Sequence, residues 1–285
     1  MSRTVYVNGE YLPEEQAKIS VFDRGFLFAD GIYEVSSVLD GKLVDNAAHL
    51  ARMHRSLREL EMQSPASDEQ ILAIQQALIA RNDLDEGVVY LQVTRGAADR
   101  DFAYPADAQP SLVMFTQARA IVESPAAQRG IIVISLPDIR WQRRDIKTVG
   151  LLAASMAKQA ALNAGADDAW MVENDLVTEG SSNNAYIVTA DGVLVTRHLG
   201  NEILHGITRA AVLRLSHEAD LPVEERAFSL DEAYAASEAF ITSASTFVMP
   251  VVKIDERIIG SGEPGPVARK LRELYIAAAR EEPHP

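Results

Sequence analysis

The stretch most informative about the fold is residues 145–152, Asp145-Ile146-Lys147-Thr148-Val149-Gly150-Leu151-Leu152. Most of the six lysines fall in charged or turn contexts, whereas Lys147 stands directly before an apolar helix. A lysine that loses hydration has a lowered pKa, and its neutral amine can form a Schiff base. The alternative is a structural lysine whose ammonium group reaches solvent at a helix start.

A second polar stretch lies between two strand-like runs and reads Val177-Thr178-Glu179-Gly180-Ser181-Ser182-Asn183-Asn184. By composition alone it could be a surface turn. The functional alternative is that the Glu179 carboxylate pairs with a pyridine nitrogen and keeps it protonated, which makes the ring an electron sink.

Two further stretches have the composition of phosphate-binding turns. Leu204-His205-Gly206-Ile207-Thr208-Arg209 opens a helix, whose free N–H groups at Ile207 and Thr208 can bind an anion. Gly206 permits close approach of the backbone, although glycine and threonine are also ordinary capping residues. Thr242-Ser243-Ala244-Ser245-Thr246 is a small-residue turn that could close around the same phosphate.

Composition excludes several classes of protein. The 285 residues carry a formal net charge of -14, so nucleic acid and anionic membranes are not expected partners. The absence of cysteine excludes disulfides, thiolate-bound metals and thiol nucleophiles, and no metal site is expected. The chain start lacks the apolar run of a signal peptide, so a cytoplasmic protein is expected.

Hydrophobic periodicity predicts strands and helices in both halves of the chain. The predicted strands cover residues 5–7, 32–39, 88–94, 112–116, 131–136, 169–172, 185–188, 193–196, 238–242 and 248–254. The first predicted helix begins at Asn46, which is taken as its cap. The other predicted helices cover 68–81, 151–163, 207–219 and 266–280. The pattern dissolves around Ser124-Pro125, which predicts a domain boundary there, with domains 1–120 and 121–285. The fold class is therefore α+β or α/β.

The order and spacing of these four stretches resemble the fold-type IV enzymes that depend on pyridoxal phosphate (PLP). The resemblance runs from Val7-Asn8-Gly9 to Arg269-Lys270-Leu271. It implies a small N-terminal α/β domain, a larger C-terminal domain with a β-barrel-like core, and a homodimer.

The resemblance also implies a role for each cofactor-binding residue. Lys147 would hold PLP as an internal aldimine and then act as base and acid, while Glu179 would pair with the pyridine nitrogen. Leu204 would pack on the ring. The expected phosphate ligands are Gly206, Ile207, Thr208, Ser243, Ala244 and Arg52. Arg52 lies about 200° from Leu50 around its helix, so periodicity alone assigns it to a solvated face. Members that act on D-amino acids commonly have threonine at the position of Ala244.

Similarity to the D-amino acid aminotransferases assigns the substrate site to Tyr33, Tyr90, Arg100 and Phe102. In those enzymes the Arg100 loop crosses to the neighbouring subunit, and a histidine stands where this chain has Phe102. An arginine can grip a carboxylate through two parallel hydrogen bonds, and the side on which it does so selects the enantiomer. Arg100 could instead be a loop residue in solvent, partly neutralised by Asp99 and Asp101. Trp141 could line the site or merely pack.

The sequence thus predicts ping-pong transamination between a D-amino acid of the D-alanine type and a 2-oxo acid such as 2-oxoglutarate or pyruvate. Alternatives within the family are a branched-chain L-amino acid aminotransferase, an R-selective amine transaminase and aminodeoxychorismate lyase. A lysine Schiff-base enzyme without PLP and a silent binding protein are alternatives of other classes.

Overall fold

The computed structural model describes residues 2–281, which form two compact units. The first unit contains residues 2–120 together with Ile146–Gly150, and the second contains Ile121–Asp145 and Leu151–Glu281. The short segment that carries Lys147 therefore packs with the first unit, although it follows residue 120. A division into domains 1–120 and 121–285 stays a prediction.

The first unit is a six-stranded sheet in the order β2-β1-β6-β5-β3-β4. Its strands are β1 (Thr4–Val7), β2 (Glu10–Pro13), β3 (Gly31–Leu39), β4 (Lys42–Leu43), β5 (Gly87–Thr94) and β6 (Ser111–Ala118). Its helices are α1 (Arg24–Phe28), α2 (Asn46–Glu59) and α3 (Asp68–Arg81). All pairings in this sheet are antiparallel, and tight turns at Asn8-Gly9 and Asp40-Gly41 join its hairpins through positive φ angles. The sequence signals for these hairpins and for α2 and α3 are confirmed, whereas α1 was not predicted.

The apolar stripe of α2 packs on β3 through Met53 and Leu57, which are fully buried beside Ile32. A second, polar stripe of α2 is buried as well, and it consists of Asn46, His49, Arg52 and Ser56. These residues recur at intervals of three or four, so they share one face of the helix. The helix therefore brings both an apolar and a hydrogen-bonding surface to the sheet.

Two expectations about α2 are wrong for this reason. The N-cap residue is Asp45, and the Asn46 side chain instead accepts from Ser36 Oγ (3.0 Å) and donates to Gln75 Oε1 (2.9 Å). Arg52 does not lie on a solvated face, because its side chain is only 7% exposed. Its Nε and Nη2 donate to the two carboxylate oxygens of Glu34 at 2.8 and 2.7 Å.

The second unit is built on a nine-stranded sheet in the order β12-β11-β10-β13-β14-β7-β8-β9, with β15 paired to β14. Its strands are β7 (Ile131–Pro137), β8 (Asp168–Glu173), β9 (Leu176–Gly180), β10 (Asn184–Val188), β11 (Leu194–Thr196), β12 (Val223–Glu225), β13 (Glu238–Ser243), β14 (Phe247–Ile254) and β15 (Arg257–Ile258). Its helices are α4 (Pro125–Arg129), α5 (Leu152–Asn163), α6 (Ile207–Glu218), α7 (Leu230–Tyr234) and α8 (Pro266–Glu281).

The large sheet curls, because the terminal strand β9 also lies against β10 near its other end. Trp170 and Phe228 meet edge to face inside this curl, with ring centres 6.0 Å apart, and neither side chain is exposed. The β-barrel-like core is confirmed. The strands β9, β12 and β15 and the short helices α4 and α7 were not predicted. No helix within residues 2–281 is long and apolar enough to cross a membrane.

The Glu34–Arg52 pair predicts a pH-dependent stability. Burial by itself raises the pKa of Glu34, but the charge of Arg52 and the hydrogen bonds from Arg52 and His49 lower it to about 2. The carboxylate therefore stabilises the fold above the unfolded pKa, and this contribution is lost as pH falls toward 2. We expect Glu34→Gln to lower the free energy of unfolding by about 3 kcal/mol near neutral pH and by only ~1 kcal/mol at about pH 3.

Urea denaturation at both pH values measures this difference. Glu10→Gln, at the exposed first residue of β2, is the matched control and should change the free energy of unfolding little at either pH. A Glu34→Gln effect that does not shrink in acid would contradict the assignment of a lowered pKa.

Candidate active site

Lys147 is positioned by backbone pairing beside β3. The N–H of Tyr33 donates to the carbonyl of Lys147 at 3.0 Å, and the N–H of Val149 donates to the carbonyl of Gly31 at 3.0 Å. Ile146 anchors the segment in the core of the first unit, and Lys147 N donates to Ser56 Oγ at 3.4 Å. The segment thus extends the sheet at the edge where the polar face of α2 ends.

The side chain of Lys147 lies over an aromatic row on the sheet. Its Nζ is 4.1 Å from the ring centre of Tyr33. The Tyr33 ring stacks on Tyr90 at 5.7 Å, and Tyr90 stacks on Phe115 at 4.6 Å. Burial raises the pKa of Tyr90, whose hydroxyl donates to Gln92 Oε1 at 2.7 Å. The first unit therefore brings together three of the predicted site residues: Lys147, Tyr33 and Tyr90.

Arg100 and Phe102 lie together in an exposed loop of the first unit. The guanidinium carbon of Arg100 is 5.6 Å from the ring centre of Phe102, and that ring is 79% exposed. Within residues 2–281, no hydrogen bond, ion pair or ring contact joins Arg100 or Phe102 to Lys147, Tyr33 or Tyr90. One chain by itself does not join these two groups of predicted substrate residues.

Glu179 is a buried strand residue and not part of a surface turn. It lies near the end of β9, is only 3% exposed, and accepts three donors. Arg140 Nη1 donates to Oε1 at 2.6 Å, Asn184 Nδ2 donates to Oε2 at 2.9 Å, and the N–H of Leu204 lies 3.1–3.2 Å from both oxygens. A carboxylate offers about four acceptor sites. One acceptor site therefore remains, which fits a pyridine N–H.

Burial raises the pKa of Glu179, and Arg140 and the N–H of Leu204 oppose this rise. The Arg140 guanidinium is itself held by Asp138, through Nε at 3.0 Å and Nη2 at 2.8 Å. Asp138 also accepts from Thr178 Oγ1 at 2.7 Å. The pairing of Arg140 with both carboxylates raises its pKa against the effect of burial, so it stays charged. The result is a carboxylate–guanidinium–carboxylate chain that ends at Glu179.

Asn184 connects Glu179 to the start of α6. Its Nδ2 also donates to the carbonyl of Leu204 at 3.0 Å. A Cβ atom at Gly206 would lie 2.0 Å from Asn184 Oδ1, so a side chain there would displace the Asn184 amide. Gly206 is the N-cap of α6 and provides no side-chain acceptor, while Thr208 is buried in the first turn. Gly206 and Thr208, which the sequence singled out, thus both lie at the N-terminus of α6.

The turn at residues 243–246 lies beside the start of β10, the strand that Asn184 opens. Asn184 opens β10 and pairs with Thr242 on the antiparallel strand β13, so Ser243 follows directly. Ser243 Oγ lies 2.8 Å from Thr246 Oγ1 and 3.4 Å from Ser245 Oγ, which orders the hydroxyl groups of the turn around Ala244. Glu179, Leu204, Thr208 and Ser243 therefore converge at one end of the curled sheet.

Sequence reasoning missed Arg140 and Asn184. Arg140 stands in Pro137-Asp138-Ile139-Arg140-Trp141, directly after the end of β7, where Asp138 and Arg140 occupy alternate positions of a loop. Exposed Ile139 and Trp141 take the other positions. Asn184 is the last residue of the polar stretch and the first residue of β10, and its composition gives no sign that its side chain is buried.

Comparison with known proteins identifies this arrangement. A family model described as amino-transferase class IV matches residues 31–254. A D-alanine aminotransferase of Staphylococcus aureus (strain MSSA476) is 36% identical over 274 residues, which are 95% of this chain and 96% of the relative. A D-alanine aminotransferase of Bacillus licheniformis is 37% identical over 270 residues, which are 94% of each chain.

Solved structures show the same fold. A branched-chain amino acid aminotransferase of T.th. with pyridoxamine 5'-phosphate has a TM-score of 0.90 at 26% identity, over 99% of this chain and 96% of that chain. A branched-chain aminotransferase of Thermoproteus uzoniensis has a TM-score of 0.88 at 24% identity, over 99% and 97%. The architecture is that of a fold-type IV PLP-dependent aminotransferase. The chain belongs to the class IV amino-transferase family, and PLP is its cofactor.

The Arg140–Glu179 contact predicts an effect on cofactor binding. Without the guanidinium, the buried Glu179 carboxylate takes up a proton and no longer attracts a pyridinium. A charge-assisted hydrogen bond contributes about 1.5–3 kcal/mol. We therefore expect Arg140→Met to weaken PLP binding roughly 10- to 100-fold, measured as the Kd of the apoprotein by fluorescence titration.

Arg143→Met is the matched control. Arg143 lies in the same loop and pairs with Asp145 at 3.0 Å, away from Glu179. Its removal should leave the Kd for PLP nearly unchanged. Equal Kd values for Arg140→Met and the wild type would refute the role given to Arg140.

Proposed function

We propose that this enzyme transfers the amino group of a D-amino acid, of the D-alanine type, to a 2-oxo acid such as 2-oxoglutarate or pyruvate. The observation that carries the proposal is the 36–37% identity, over nearly the full chain, to relatives named D-alanine aminotransferase. The reaction is ping-pong, with one amino acid and one 2-oxo acid using the same site in turn. We also propose that the enzyme acts in the cytoplasm as a homodimer.

Lys147 is the proposed catalytic residue. When bound, PLP supplies the electron sink that stabilises charge at the substrate Cα. Lys147 Nζ would hold the cofactor and would carry the proton removed from the substrate Cα. Its contact with the Tyr33 ring supports this role, because the ring limits where the amine can move. Glu179 would accept a hydrogen bond from the protonated pyridine nitrogen at its remaining acceptor site.

The phosphate group is proposed to bind at the start of α6. The N–H groups of Ile207 and Thr208 point out of the first turn, and the helix dipole favours an anion there. Gly206 keeps the approach open, and Ser243 and Ala244 supply the opposing turn. Ala244 provides only its backbone, where related enzymes have a threonine hydroxyl. Arg52 is the proposed cationic ligand, and Leu204 the residue that packs on the cofactor ring.

The substrate carboxylate is proposed to bind Arg100, with Tyr33 and Tyr90 lining the site. The exposure of the Arg100 loop in one chain supports its insertion into the site of a second subunit. Phe102 contributes an apolar wall in place of a hydrogen-bond donor. When Arg100 and Tyr33 bind the substrate carboxylate, the Cα–H bond of a D-amino acid would face Lys147.

The visible spectrum of the purified enzyme tests the proposal. D-alanine should bleach the absorption band of bound PLP and release one pyruvate per site, because the cofactor takes the amino group. Lys147→Ala should abolish turnover, whereas Lys270→Ala, on the exposed face of α8, should not.

L-leucine is the discriminating second substrate. Bleaching by L-leucine and not by D-alanine would replace the proposal with a branched-chain L-amino acid aminotransferase, the activity named for the similar solved structures. Turnover at the wild-type rate by Lys147→Ala would refute the catalytic role of Lys147.

A further inference from the structure

We propose that the adjoining rings of Phe28 and Phe102 together hold the Arg100 guanidinium, which makes Phe102 a positioning residue for substrate specificity. The inference rests on the proposed function, because it concerns how Arg100 receives the substrate carboxylate. It gives a role to the residue at which this chain departs from related D-amino acid aminotransferases.

The geometry of the loop carries the inference. The guanidinium carbon of Arg100 lies 5.2 Å from the Phe28 ring centre and 5.6 Å from the Phe102 ring centre. The two rings are themselves 5.5 Å apart at 60°. Both distances are within the roughly 6 Å at which a ring face attracts a cation. Arg100 therefore has two aromatic neighbours, one from α1 and one from its own loop.

The Phe28 ring is itself fixed by a buried charge cluster. Arg24 lies 4.6 Å from the Phe28 ring centre and donates to Asp30 at 2.7 Å. Arg24 also donates to the carbonyl of Asp101 at 2.6 Å, which ties down the residue between Arg100 and Phe102. Arg95 shares Asp30 and is covered by Tyr104 at 3.6 Å. Rings and guanidinium groups thus alternate from the buried cluster out to Arg100.

Arg100 is held without using its hydrogen-bond donors. Among residues 2–281, no hydrogen bond or ion pair occupies its N–H groups, so neither Asp99 nor Asp101 is paired with it. All five N–H donors are therefore available to a carboxylate. A histidine at position 102 would add a donor, but its protonated form would repel the guanidinium. Phenylalanine gives up that donor and steadies the arginine.

The kinetics of Phe102 variants test the inference. With 2-oxoglutarate saturating, Phe102→Leu should raise the KM for D-alanine about two- to five-fold, the effect of one exposed cation–π contact, and leave kcat nearly unchanged. Phe102→Tyr keeps a ring and should keep the wild-type KM. Because Phe102 lies outside the core of its own chain and is not a proposed PLP ligand, the Tm and the Kd for PLP should stay at wild-type values in both variants.

A double-mutant cycle separates positioning from a general effect. In an Arg100→Met background, Phe102→Leu should have no further effect on kcat/KM, because the group that it positions is gone. The same loss in both backgrounds, or an unchanged KM in Phe102→Leu, would overturn the inference. If Arg100→Met is too slow to assay, the comparison of leucine with tyrosine at position 102 decides. A wild-type enzyme that does not turn over D-alanine would instead refute the proposed function itself.

Discussion

The buried Glu179 carboxylate is the constraint on which the second unit depends. A buried charge costs several kcal/mol unless it is paired and hydrogen-bonded, and each of its partners comes from a different part of the chain. Arg140 orders the loop after β7, Asn184 fixes the start of β10, and the N–H of Leu204 fixes the turn before α6. Satisfying one carboxylate therefore also sets the helix start proposed to bind phosphate.

The first unit also contains a buried carboxylate that is paired with an arginine. Glu34 and Arg52 form a buried pair between β3 and α2, and the pair determines where the guanidinium lies. Lys147 is positioned beside β3 by the hydrogen bonds of its backbone and not by its side chain. An amine that must react is thus carried on a rigid sheet edge, while its side chain remains available for chemistry.

Hydrophobic periodicity and turn-forming residues predict most strands, the long helices and the glycine turns, because each of these signals comes from neighbouring residues. The strand β9 was missed because Glu179-Gly180-Ser181-Ser182 has the composition of a turn, and only pairing with β8 makes it a strand. Arg52 was assigned to solvent because periodicity registers apolar stripes, whereas its burial depends on Glu34 from another element. Arg140 could not be found from local sequence, since its partner lies 39 residues away.

The proposed chemistry of the cofactor depends most on Glu179, which would keep the pyridine nitrogen protonated. Nitrogen-15 NMR of the enzyme reconstituted with PLP labelled at that nitrogen measures this directly. We predict a pyridinium shift in the wild type at neutral pH and a pyridine shift in Glu179→Gln, with Arg140 unchanged. A pyridine shift in the wild type, or the same shift in both proteins, would contradict the account.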